Sequence, residues 1–274
     1  MQRMQDWQRL ARALAHESAV LATVVRVEGS APRETGAWMA VTHAQLIGSI
    51  GGGQLEFDVI GEARAALAAG GIVSPLRRYA LGPTLGQCCG GVVHLRLEWL
   101  DASQAATLQQ RLTPTPLVDL ALFGGGHVGR AIIELAARLP IRTQWFDSRD
   151  EIFPADLPLN VQAEHSDPIQ AAVADVRPGA KVLIMSFSHA EDLDIVAACL
   201  MRQRQQQDLP FVGLIGSKSK WAAFRHRLEA RGFSEAEIAQ ITCPIGIAGI
   251  EGKQPEVIAL AVVAQLLQAS PAAP

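Results

Sequence analysis

Leu117-Val118-Asp119-Leu120-Ala121-Leu122-Phe123-Gly124-Gly125-Gly126-His127-Val128-Gly129-Arg130 is the stretch that decides the fold. An apolar run ends in Gly124-x-Gly126-x-x-Gly129, and an apolar-periodic segment follows from Ala131 to Leu139. A buried strand, a tight turn and a helix in that order are the context a dinucleotide fingerprint requires. Gly124 permits the turn, Gly126 lets a phosphate approach the backbone, and Gly129 lets helix and strand pack closely. The helix start offers unpaired N–H groups and a positive dipole end to an anion. A second apolar strand, Arg142-Thr143-Gln144-Trp145-Phe146, ends in Asp147. That acid lies roughly 20 residues beyond the glycines, where the fingerprint places a ribose ligand. The spacing predicts a Rossmann-type domain.

Working outward, Thr113-Pro114-Thr115-Pro116 is a semi-rigid connector, since two prolines this close disfavour helix. We place a linker at 113–116, an N-terminal mixed α/β domain at 1–112, and a Rossmann-like parallel-sheet domain at 117–270. After the linker, strands are expected at Leu117–Phe123, Arg142–Asp147, Val161–Ala163, Lys181–Phe187 and Phe211–Ile215. Helices are expected at His127–Arg138, Pro168–Val176, Asp192–Gln205 and Lys218–Ala230. Their alternation implies a parallel sheet. Ser234-x-x-Glu237 reads as a capping box, and Pro255 as the first position of a last helix through Leu267. Before the linker, helical spacing at Trp7, Leu10, Ala11 and Leu14 predicts an opening helix. Val20–Val27, a hairpin of Trp38–Val41 with Leu46–Ile50, Leu76–Leu81 and Val92–Leu100 read as strands. Helices are predicted at Gln54–Ala69 and Ala102–Leu112.

The totals narrow the function. The chain has 274 residues, 49% hydrophobic and 19% charged, enough for a sizeable core. A net charge of −3 gives no reason to expect nucleic acid or an anionic membrane surface. No apolar stretch is long enough to span a bilayer, and Met1–Glu17 is polar and periodic rather than a signal peptide. A cytoplasmic location with four reduced cysteines is the expectation.

Several clusters bear chemistry. Gly51-Gly52-Gly53 precedes a helix carrying Glu56: either an ordinary turn with an acidic first helical turn, or an anion cradle of backbone amides. Arg33, in Gly29-Ser30-Ala31-Pro32-Arg33, is either a surface charge or a bidentate phosphate ligand. Cys88-Cys89, flanked by glycines, are either buried hydrophobes or reactive thiols able to meet sulfur or metal chemistry. His189 and Asp192 follow a strand end, as ligand contacts, an acid/base pair, or a cap with Ser188. Ser217, Lys218 and Lys220 at the next helix start suit a phosphate, because a lysine there otherwise opposes the dipole. His127 stands where the glycine loop usually has a small residue. No H-E-x-x-H, G-x-S-x-G, P-loop or paired C-x-x-C occurs. The inventory is a phosphate-binding shell without evident machinery for a reaction.

As an ordered series these pieces resemble the XdhC/CoxI family of accessory proteins for molybdenum hydroxylases. The series comprises Gly29–Arg33, Gly48–Gly53 with Glu56, Cys89-Gly90-Gly91, Phe123–Gly129, Ser188-His189 with Asp192, and Gly213–Ser217 with Lys220. Pro244-Ile245-Gly246 and Pro255–Ala259 complete it. The resemblance implies a chaperone of purine catabolism rather than an enzyme. It would bind the molybdenum cofactor, a molybdopterin, while a cysteine desulfurase exchanges an oxo ligand for sulfur. It would then help insert the cofactor into a xanthine dehydrogenase-type apoenzyme. Cys89 is our candidate metal contact, since a soft thiolate suits that centre. Arg33, Gly51–Gly53, Glu56, Cys88, Cys89, Gly124, Gly126, His127, Gly129, Asp147, His189, Ser217, Lys218 and Lys220 form the expected cofactor shell. A nucleotide such as NAD(P) in the Rossmann half is the rival ligand, and an NAD(P)-dependent oxidoreductase the rival function. A homodimer is the expectation from the commonness of two-fold pairs.

Overall fold

The computed structural model describes residues 2–71, 75–82, 90–112 and 116–268. The chain divides into two compact units, Gln2–Pro114 and Thr115–Pro274.

The first unit is built on an antiparallel sheet. Its strands are β1 (Ala19–Glu28), β2 (Trp38–Thr42), β3 (Leu46–Gly48), β4 (Leu76–Ala80) and β5 (Val92–Leu100), ordered β3-β2-β1-β5-β4. Its helices are α1 (Gln2–Leu14), α2 (Gly53–Ala69) and α3 (Ala105–Leu112), the last preceded by a 3-10 turn at Ala102–Gln104. Val20, Ala22 and Val24 of β1 pack with Leu55, Val59, Ala63 and Leu67 of α2. Ala19 and Leu21 pack the other way, with Trp7, Leu10 and Leu14 of α1 and Leu108 and Leu112 of α3. Helices thus cover both faces, which explains why β1 reads as a nearly unbroken apolar run. Gly70 ends α2 in the left-handed conformation, its N–H donating to the Ala66 carbonyl. On β5, Glu98 reaches across to Arg111 of α3 through two hydrogen bonds of 3.0 and 2.7 Å.

The second unit is a parallel sheet of β6 (Val118–Phe123), β7 (Ile141–Asp147), β8 (Val161–His165), β9 (Lys181–Ile184), β10 (Phe211–Leu214) and β11 (Ile241–Thr242). Its order, β8-β7-β6-β9-β10-β11, is the doubly wound 3-2-1-4-5-6 arrangement. Chain direction across the sheet reverses between β6 and β9, so the ligand crevice of such a fold belongs at their carboxyl ends. Ala121 and Phe123 of β6 pack with α5 (His189–Gln206) and α6 (Lys218–Ala230). Leu120 and Leu122 pack with α4 (His127–Ala136) and α8 (Pro255–Gln268). Phe123 and Phe146 stack with ring centroids 4.9 Å apart. Cys199 lies wholly inside the α5 face, where burial pushes its thiol up to about 12. Ser234 and Glu237 form a reciprocal capping box at the start of α7 (Glu235–Ile238).

Two elements depart from the sequence reading. The helix expected at Pro168–Val176 is a 3-10 run, Ile169–Asp175. Gln144 of β7 ties down its end, donating to the Asp175 carbonyl and accepting from the Arg177 amide. Ile169 and Ala172, three apart and both buried, share a face at three residues per turn. β11 had no counterpart in the sequence reading, because two residues show no period.

The glycine turn fixes how β6, β9 and α4 approach. Gly124 has φ +120°, and a β-carbon there would lie 2.0 Å from the Met185 carbonyl oxygen. A β-carbon on Gly129 would lie 2.2 Å from the Gly124 carbonyl oxygen. Neither obstacle is a movable side-chain tip, so α4 must back away from the strand if either position gains a side chain. Gly129→Ala is therefore expected to destabilise the second unit by about 1–3 kcal/mol. The check is thermal unfolding against wild type; an unchanged Tm would contradict the close approach.

Candidate functional site

In the second unit the carboxyl edge of the sheet carries the loops after β6, β7, β9 and β10. Asp147, the acid expected to meet a ribose, is wholly buried at the end of β7. Its Oδ2 accepts from the Gly125 amide at 2.6 Å and from Arg149 Nη2 at 3.0 Å. Its Oδ1 accepts from the Arg149 amide at 2.9 Å and Arg149 Nε at 2.8 Å. Burial works against the charge, yet the Arg149 guanidinium and these amides outweigh it, and the carboxyl titrates below its ordinary range. Asp147 thus holds the glycine turn to the end of β7. Arg130 of α4 clamps the same turn from outside, donating to the Gly125 and Ile152 carbonyls.

Gly126 differs from its neighbours. It is the N-cap of α4, with φ −66° and no side chain capping the helix. A β-carbon there would meet nothing within 4 Å. Folding alone therefore gives no reason for glycine at 126, whereas close approach of a phosphate does. His127 beside it is exposed.

The β9 and β10 loops are locked to each other. Asp192 of α5 is 2% exposed; its Oδ1 accepts from the Ser186 amide and hydroxyl, and its Oδ2 from Lys220 Nζ at 2.6 Å. Lys220 also donates to the Ile215 carbonyl at 2.9 Å. Asp192 is therefore partnered with Lys220 and not with His189, whose exposed ring stands edge-on to Phe224. Ser188 caps α5, accepting from the Glu191 amide, and Ser217 caps α6, accepting from the Lys220 amide. Of the expected phosphate trio, Lys218 is exposed while Lys220 is turned inward. The lysine that seemed to oppose the α6 dipole does so in order to neutralise Asp192.

In the first unit, three motifs distant in sequence meet. A β-carbon on Gly51 would lie 2.4 Å from Pro32 Cγ and 3.6 Å from Arg33 Cγ. One on Gly91 would lie 2.3 Å from the Ser30 carbonyl oxygen, which accepts from the Gly91 amide. The 29–33 loop thus packs on both the glycine turn and the segment following Cys88-Cys89. Those two cysteines lie outside the described residues. Arg33 sits beside the turn and pairs with Glu34 at 3.3 Å.

The Gly51–Gly53 turn already holds an anion of the chain's own. Glu56 Oε1 accepts from the amides of Ile50, Gly51 and Gly52 at 2.9, 3.1 and 2.9 Å, and from the Ser49 hydroxyl at 2.5 Å. Burial disfavours its charge, but these donors prevail and lower its pKa. Of the three glycine amides expected to cradle a cofactor phosphate, those of Gly51 and Gly52 are taken by Glu56. Among the described residues, no group of three or more His, Cys, Asp or Glu is placed to hold a metal, and no helix is long and apolar enough to cross a membrane.

Sequence reasoning missed Arg130, Arg149 and Glu191. Arg149 carried a faint signal, an Asp-x-Arg step at a strand end; the other two each have one partner far along the chain, Ile152 for Arg130 and Ser148 for Glu191.

Two family models match this chain. One, described as the XdhC and CoxI family, matches residues 13–80; the other, the XdhC Rossmann domain, matches residues 120–266. The chain belongs to the XdhC family. Within it, the turn sealed by Glu56 lies in the segment matched by the first model, and the open turn at Gly126 in the segment matched by the second. A protein described as "Uncharacterized protein YqeB" of Escherichia coli (strain K12) is 29% identical over 260 residues. Those residues are 93% of this chain and 44% of YqeB, so the chain spans less than half of that relative's length. A crystal structure titled as a xanthine dehydrogenase from Bacillus halodurans matches with TM-score 0.72 at 21% identity. The match covers 96% of this chain and 95% of that one, and at such identity it establishes a shared fold.

Glu56→Gln removes the charge that the turn amides hold and is expected to destabilise the first unit by about 1–3 kcal/mol near neutral pH. A carboxyl with a depressed folded pKa stabilises above its unfolded value, 4.5, and loses that contribution as pH falls through the folded one. The gap in Tm between wild type and variant should therefore close on acidification below about pH 4.5. A gap independent of pH would count against an ionised Glu56.

Proposed function

We propose that this XdhC-family chain is an accessory protein of a xanthine dehydrogenase-type molybdenum hydroxylase, acting as a carrier rather than a catalyst. In this reading it binds the molybdenum cofactor, holds it while a cysteine desulfurase supplies sulfur, and passes it to the apoenzyme in the cytoplasm. Support comes from family models on both units and from the fold shared with the Bacillus halodurans structure described as a xanthine dehydrogenase. The observation that carries the ligand class is the turn at Gly126, uncapped by any side chain and open above its α-carbon.

That turn fits the phosphate of a pterin cofactor. The amides of Gly126 and His127 would hold it, aided by the positive end of α4. Asp147, Arg149 and Arg130 keep the turn rigid, so its donors are in place before a ligand arrives. When bound, the cofactor supplies the molybdenum centre that the client uses. Cys89, with Cys88 beside it, remains our candidate thiolate for that centre on the sequence argument. The same turn and the 3-2-1-4-5-6 strand order favour one second reading, a dinucleotide bound for oxidoreduction.

The test is co-expression with the client, purification, and oxidation of any bound pterin to a fluorescent product, alongside titration with NADH. Pterin fluorescence should copurify with the full chain and fall at least about tenfold in Gly126→Asp, which blocks the approach with bulk and like charge. Cys89→Ala should lower the sulfurated, active fraction of client while the chain stays folded. Tight NADH binding without any pterin would overturn the carrier reading in favour of the oxidoreductase.

A further inference from the structure

Phe187 is 68% exposed, although the loop that carries it is well held. Its amide donates to Glu191 Oε2 at 3.1 Å, and Glu191 Oε1 accepts from Ser148 at 2.8 Å. Ser186, the residue before it, is fixed to Asp192 through both amide and hydroxyl. Arg149 lies over the ring with its guanidinium carbon 4.5 Å from the centroid. That guanidinium is itself held flat by its two-pronged bond to Asp147. The aromatic is thus fixed from its backbone and from one side, while most of its surface faces outward.

Its place in the fold says what it could meet. The residues leaving β9 pass against the Gly124 turn, where Met185 contacts it, and Phe187 follows two positions later. Arg149 follows β7, the strand on the far side of β6. Phe187 and Arg149 therefore come from the strands on either side of β6 and meet at its carboxyl end, from which the loop carrying the open turn at Gly126 also leaves. A ligand whose phosphate sits on that turn would find a fixed apolar shelf nearby.

We infer that Phe187, backed by Arg149, is a stacking platform for the planar fused-ring heterocycle of a phosphate-bearing ligand held at the α4 turn. This deepens the reading above and rests on its phosphate turn. A flat heteroaromatic has the π-face that such a platform recognises, whether it is the purine of a nucleotide or the ring system of a pterin. Phe187 contributes area and orientation; the phosphate contributes charge.

The experiment is calorimetric titration of the full chain with three probes: ADP, 6-hydroxymethyldihydropterin diphosphate, and inorganic pyrophosphate, which has no ring. Wild type should bind at least one ringed probe about 10-fold or more tighter than pyrophosphate, the scale of one stacking contact. Phe187→Ala should abolish that advantage, and Phe187→Trp should preserve it, with pyrophosphate affinity unchanged in both. The tighter ringed probe identifies the source of the heterocycle. A ring advantage that survives in Phe187→Ala overturns the proposal, as does pyrophosphate binding with no ring advantage in wild type; in both cases the phosphate turn stands. If wild type binds none of the three, the phosphate turn falls as well. If Phe187→Ala weakens association with the client while the ring advantage persists, the residue is a protein contact and the stacking proposal is overturned.

Discussion

The second unit depends on two backbones meeting where no side chain stands between them. At Gly124 the chain turns directly beneath the Met185 carbonyl, and at Gly129 the first turn of α4 lies against the Gly124 carbonyl. Both contacts are shorter than any β-carbon could tolerate, so the helix is set by what is missing from it. Once α4 lies that close, Asp147 at the end of the neighbouring strand can reach the Gly125 amide, and Arg149 can close over Asp147. The rigid crevice is a sequel to the steric condition.

A second regularity links the two units without placing them relative to each other. Each contains a glycine-rich turn whose amides converge, and in each the chain fills part of that concavity with its own carboxylate. Glu56 takes three amides in the first unit; Asp147 takes the Gly125 amide in the second. Converging N–H groups attract an anion whether or not it is foreign. Counting which donors remain therefore decides where an external phosphate can go. In the first unit Glu56 satisfies the amides before Gly53, whereas the cap at Gly126 receives no side chain. Glycine motifs that look alike in sequence differ because an acid four to six residues along takes three amides of one turn, whereas Asp147 takes a single amide of the other.

Much of the architecture was legible because its signals are local. The strand–turn–helix at Gly124, the capping box at Ser234, Gly70 at the end of α2 and the full extent of α6 are written in neighbouring residues. What escaped was set by distant partners. The 3-10 geometry after Pro168 is enforced by Gln144, 31 positions before Asp175. β11 exists because β10 offers it an edge. The site was legible as a set of residue types and less so as roles. Lys220 looked like a phosphate ligand from its place at a helix start, but Asp192, 28 positions away, claims it. For Glu56 and the glycines before it the sequence leaves an ordinary turn and an anion cradle open; in the structure the turn amides hold Glu56 itself.

The pairing of Asp192 with Lys220 bears on what the crevice can do. A general base needs a lone pair free to take a proton, or one freed cheaply at the moment of reaction. Asp192 lies in a buried cluster in which Ser186 and Lys220 occupy both oxygens. Removing its carboxylate would leave the Lys220 ammonium, itself only 12% exposed, without its counter-charge. Breaking a buried pair in that way costs about 3–5 kcal/mol. Asp147 is bound to Arg149 under the same constraint. Pairs arranged like this tie the loops that carry them to one another at fixed separations. Rigid donors at an open turn favour reversible capture, because little order has to be created on binding or lost on release. The same network that fixes the loops is thus what would keep the grip of the proposed carrier reproducible.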